Sequence, residues 1–125
     1  MNFSFTYEVD VPNKILICEA IGSVSKVLDI EHMLKNIVKL AGKNQVKNVV
    51  LDVTQLILTY SKMNMTRLLM TMSEEDWCND IRIARIINPQ DNNQNLVGEM
   101  AAKYELPIKN FDNRSDAMMW LLFNK

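Results

Sequence analysis

Short runs with a two-residue apolar period are interleaved along this chain with apolar stripes at helical spacing. A strand separated from the next by a helix needs a crossover connection, so most of the sheet is expected to be parallel. Phe3 to Val11 alternates apolar and polar residues as a half-buried strand does. Pro12-Asn13-Lys14 punctuates it, and Ile15 to Ile21 reads as its hairpin partner. Gly22 breaks that pattern. From Val27 to about Ala41, the residues Ile30, Met33, Leu34, Ile37, Val38 and Ala41 form one face of an amphipathic helix, with Gly42 as its expected stop.

The rest of the chain keeps the rhythm. Val49-Val50-Leu51-Asp52-Val53 is the β-branched run of a strand covered on both faces. Thr54 to Tyr60 reads as a bridge to a helix carrying Met65, Leu68, Leu69 and Met72. Ile81 to Ile87 is another strand, closed by Asn88-Pro89. Gln90 to Asn95 is a loop or the first turn of a third helix, whose face is Val97, Met100, Ala101 and Tyr104. Pro107 ends that helix, Ile108 to Phe111 supplies a last short strand, and Asp112 or Asn113 caps a helix with Ala117, Met118, Leu121 and Leu122. The order is β-β-α-β-α-β-α-β-α: one α/β domain over residues 1–125, mostly parallel, with an N-terminal hairpin.

Composition narrows the function classes. A chain of 125 residues that is 48% hydrophobic and 23% charged has enough apolar surface for a core of its own. Fourteen Lys and Arg against fifteen Asp and Glu give a net charge of −1, which argues against bulk attraction to nucleic acid. No apolar run approaches the roughly 20 residues that span a bilayer, and Met1 to Phe5 lacks a signal-peptide pattern, so a soluble cytoplasmic protein is expected.

The chemistry-bearing residues form no catalytic constellation, and no enzyme activity, metal or cofactor is expected. His32 is the only histidine and lies off the stripe of its helix. Cys18 sits in an apolar run, and Cys78 has no basic neighbour to lower its pKa. Gly22, Gly42 and Gly98 are too scattered to cradle a phosphate. Glu74-Glu75-Asp76 reads as a solvated turn, and Asp52 as a partner for backbone donors at its strand end. Ser61 stands where a helix begins, a position that fits a capping residue; Thr59 is the other candidate cap. The same position also tolerates a phosphate, with Lys62 and Arg67 near enough to answer the charge. Met63 and Met70 lie seven apart, off the core stripe, and either flank it or form a pliable contact surface. Trp120 and Phe123 either close the core or mediate self-association.

The element order, Ile21-Gly22, Val49 to Val53 and the serine that opens the next helix resemble the STAS domain of bacterial anti-sigma-factor antagonists. The strand Arg82 to Ile87 and the tail Phe111-Asp112-Asn113-Arg114-Ser115-Asp116-Ala117-Met118-Met119-Trp120-Leu121 resemble its small SpoIIAA-like group, which lies structurally beside the CRAL-TRIO lipid-transfer fold. The resemblance implies a non-enzymatic regulatory module with a protein partner, an anti-sigma factor or a kinase-like protein. It places Ser61 at the phosphoacceptor position, in a degenerate motif: Tyr60 stands for the expected aspartate and Lys62-Met63 for Ser-Gly. Together with the methionines off the core stripe and the lack of catalytic groups, it suggests a docking surface of Tyr60, Lys62, Met63, Arg67 and Met70. The alternative is a small-ligand or lipid-binding domain of the CRAL-TRIO-like type.

Overall fold

In the computed structural model, which describes residues 2–78 and 80–123, β1 (Phe3–Asp10) and β2 (Ile15–Val24) form the expected antiparallel hairpin. Alternation sorts their side chains. Leu16, Cys18 and Ala20 are buried in the main core with Phe3, Phe5 and Val9 packed against it, while Ile15 and Ile17 belong to a second, smaller cluster. Gly22 does not end the second strand, which runs on to Val24. Its φ of 131° suits glycine alone, and an added Cβ would lie 2.7 Å from Phe3 Cα, so the residue lets β1 pass close by.

Helix α1 (Val27–Lys43) buries Ile30, Met33, Leu34, Ile37, Leu40 and Ala41. Gly42 lies inside its last turn and is not the stop. Asn44 ends the helix, its side-chain amide donating to Leu40 O at 2.8 Å, and Gln45 then turns the chain at a φ of 56°. Strands β3 (Asn48–Asp52), β5 (Arg82–Ile86) and β6 (Ile108–Phe111) join β2 in the order β1-β2-β3-β5-β6, all parallel except the hairpin pair.

One element was not expected. The bridge after β3 contains a short strand, β4 (Leu56–Leu58), parallel to the far end of β2. Residues Ile15 to Glu19 of β2 pair with β3 and residues Gly22 to Val24 with β4, so the two short strands lie in line along one neighbour. The chain steps out at Val53 to Gln55, resumes the sheet, and then enters α2 (Lys62–Glu74).

Helices α1, α2 and α3 (Asn92–Lys103) contribute to the main core on one face of the sheet, and α4 (Arg114–Phe123) packs on the other with Ile15, Val50, Ala84 and Ile86. Asn113 caps α4, accepting from Asp116 N at 2.8 Å. Arg82 fixes the other end of that helix. Its guanidinium donates to Trp120 O at 3.0 Å and lies 4.1 Å from the indole, which is half-buried 5.5 Å from Phe111. Trp120 therefore closes the second cluster, whereas Phe123 is 71% exposed. Among the described residues no helix is long and apolar enough to cross a membrane.

Candidate functional site

The step from β4 into α2 places the candidate residues. Thr59 Oγ1 donates to Val24 O at 3.1 Å, which anchors the end of β4 to β2. Ser61 is then extended, and its hydroxyl oxygen accepts from Asn64 N at 3.1 Å, so Ser61 and not Thr59 is the cap of α2. Both Ser61 and the following Lys62 are exposed.

From this cap the helix turns two different faces outward and inward. Met65, Leu68, Leu69 and Met72 are buried as the helical spacing requires. Met63, Arg67 and Met70 recur at i, i+4 and i+7 on the opposite side and form one exposed stripe, with Met63 64% and Met70 39% accessible. Two exposed methionines flanking an arginine make a surface that is apolar, deformable and cationic at once. Tyr60 does not belong to it. It is half-buried against the main core, and burial pushes its hydroxyl up to about 12, with Arg85 pulling the other way.

Behind Tyr60 lies a buried polar cluster that sequence reading does not single out. Arg85 is buried on β5, on the face shared by Ile83, and its register partner on β6 is Asn110. Arg85 Nη1 donates to Asn110 Oδ1 at 2.7 Å and to Gln94 O at 3.3 Å, and Nη2 donates to Gln94 Oε1. Gln94, fully buried in the first turn of α3, passes the connection on. Its amide donates to Leu56 O at 2.9 Å and to Val53 O at 3.5 Å, the carbonyls around the step between β3 and β4. Asn93 adds a bond to Leu58 O at 2.9 Å. Asp91 caps α3 by accepting from Asn93 N and Gln94 N, so the polar stretch from Gln90 is the approach and first turn of that helix. The one legible signal was a cation at the same strand parity as Ile83 and Ile87. Nothing in the amide-rich run 92–95 marked Gln94.

The remaining candidates stand apart from this region. His32 is exposed on α1. Cys18 and Cys78 are free and buried, and burial raises their thiols to about 12 and about 11, with Asp76 adding to the rise at Cys78. Asp52 Oδ1 accepts from Thr54 N at 2.9 Å and Thr54 Oγ1 at 2.7 Å, the structural role expected of it. Glu74, Glu75 and Asp76 are all exposed where α2 ends. No three His, Cys, Asp or Glu among the described residues are grouped to hold a metal ion.

Comparison with known proteins places the architecture. No protein-family model and no curated protein matches the sequence. Among solved structures, the chain is similar to an anti-sigma factor antagonist from Mycobacterium paratuberculosis, at 11% identity with 94% of each chain covered and a TM-score of 0.57. It is equally similar, at a TM-score of 0.57, to an uncharacterized protein from Shewanella loihica with a SpoIIAA-like fold, at 17% identity over 96% of this chain and 94% of that one. Among the described residues the hairpin, the mostly parallel sheet and the four helices match the SpoIIAA-like fold.

Proposed function

We propose that this chain is a non-enzymatic regulatory module that acts by binding another protein, and that the outer face of α2 from Ser61 to Met70 is its contact surface. Fold alone supports many activities, so the reading rests on the surface. Its main support is the exposed stripe of Met63, Arg67 and Met70 beside the Ser61 cap. Apolar side chains held in water on a helix whose other face already packs the core gain free energy only when something covers them. A protein with this fold is an anti-sigma factor antagonist, a role defined by a second protein, and the partner class carried to this chain is an anti-sigma factor or a kinase-like protein.

Ser61 fits this reading as the regulated residue. A phosphate there adds roughly −1.5 to −2 charges at a helix N-terminus. Lys62 and Arg67 are exposed on the same helix, so the added charge alters the cationic stripe that a partner meets. The test is affinity capture from the native cell with wild type and the Met63→Glu/Met70→Glu double variant in parallel. A partner held by wild type, lost from the variant and shown to bind directly when purified supports the proposal. Equal retention by both chains, or no recurrent partner, counts against it.

A further inference from the structure

Arg85 carries a positive charge at only 6% exposure, and every acceptor it reaches is neutral. Burial lowers its pKa to about 10, with Tyr60 and Asp91 holding it up, so the group stays charged at neutral pH. No carboxylate pairs with it; among the described residues the one ion pair is Lys35–Glu31, at the surface of α1. A buried charge without a counter-charge is costly. A guanidinium has five N–H groups. The bonds to Gln94 and Asn110 use Nη1 twice and Nη2 once, which leaves Nε–H and one Nη2–H with no protein acceptor among the described residues.

The same side chain lines a narrow, partly open cavity of about 40 Å³ between the sheet and helices α1, α2 and α3. Tyr60 is the other polar side chain in its wall; the rest is apolar, including Leu34, Leu51, Met65 and Val97. A water needs about 10–15 Å³ of such space and two to four polar partners, so the cavity has room for roughly three waters but too few groups to hold them. Volume, charge and walls together select an occupant. Two oxygens of a carboxylate match adjacent guanidinium N–H groups, and a short alkyl stub suits the leucine walls. Phosphate or sulfate would have to shed its water against hydrocarbon.

We propose that this cavity is a binding site for a short-chain aliphatic monocarboxylate, with the carboxylate on Arg85 and the alkyl group among the leucines. The site is separate from the α2 contact surface, and its occupancy can be read without any protein partner. Sodium propionate is titrated into the full chain at constant ionic strength with sodium chloride as reference, and followed by nuclear magnetic resonance of the backbone amides and the Arg85 side chain. One-to-one saturation centred on Arg85, with octanoate weaker because its chain exceeds the cavity, is the expected result. Arg85→Gln should weaken propionate by at least about tenfold, the loss expected of charge-assisted hydrogen bonds. Val97→Leu, which adds a methylene to a half-buried wall and keeps Arg85, should abolish saturation in a folded chain and decides the matter if the Arg85 variant unfolds. No saturable response to propionate beyond that to chloride, octanoate binding as tightly as propionate, or a folded Val97→Leu chain that binds as wild type does, overturns the proposal.

Discussion

Arg85 reaches Gln94 twice, at its backbone carbonyl and at its side-chain oxygen, so one guanidinium ties β5 to the first turn of α3. Gln94 in turn donates to the carbonyls of Val53 and Leu56, where the chain leaves the sheet between β3 and β4. A strand that breaks inside a protein frees backbone carbonyls, and these must find donors. The buried glutamine meets that need, and it also gives the buried cation an acceptor.

Replacing Gln94 with leucine therefore strands both sides of the connection. We expect Gln94→Leu to lower stability by about 3 kcal/mol, the cost of leaving buried polar and charged groups unpaired. Arg85→Met with Gln94→Leu should cost less than the sum of the single changes, because the second removes a group the first has orphaned. Urea denaturation of the four chains measures both; strict additivity would show that the two side chains do not act as a unit.

Gly22, ahead of α1, and Gly42, inside its last turn, should respond to alanine in opposite directions. Gly22→Ala forces a Cβ into β1 at a positive φ and should cost about 2 kcal/mol. Gly42 is helical with open space around it, so Gly42→Ala should stabilise the chain by about 0.5–1 kcal/mol. Denaturation midpoints of the pair provide the comparison.

Capping and partner binding at Ser61 are separable. Ser61→Ala removes the acceptor for Asn64 N and should cost about 1 kcal/mol, while Ser61→Asp retains a capping oxygen and should stay near wild type. If Ser61 is a regulated contact, Ser61→Asp nevertheless changes partner affinity, read by titration calorimetry. Equal affinity for wild type, Ser61→Ala and Ser61→Asp would reduce the residue to its cap.

Stability should decline in alkali. The thiols of Cys18 and Cys78 have an ordinary value of 9.0 but hold their protons to about 12 and about 11 when folded. Between those limits the unfolded chain loses protons that the folded chain keeps, so rising pH favours unfolding. By pH 10 the penalty is on the order of 1 kcal/mol per thiol. Cys18→Ala and Cys78→Ala should each flatten the decline of unfolding free energy above pH 9, compared with wild type in the same buffers.

The strands, the helices and their apolar faces were legible in the sequence because each is a local periodicity. Alternation from Phe3 to Val11 marked β1 as half-buried, and helical spacing separated Met65 and Met72 from Met63 and Met70. The capping serine, the solvated carboxylates after α2 and the burial of Cys18 followed from similarly local rules. Gly42 is misleading, because a glycine near a helix end suggests a stop, whereas Asn44 carries the hydrogen bond that ends the helix. Strand β4 was not legible: three residues have almost no periodicity, and their partner is the far end of β2.

The buried cluster depended on tertiary structure in the same way. Arg85, Gln94 and Asn110 come from three elements, and only the parallel register and the docking of α3 bring them together. Tyr60 likewise left the expected contact surface because the step through β4 turned it toward the core. Local sequence fixes which faces of an element avoid water, since that preference is set by residues a turn or a pleat apart. Which polar groups are enclosed together is decided by chain crossovers, where each group's partner is remote in sequence and its burial is repaid only once the whole sheet has formed.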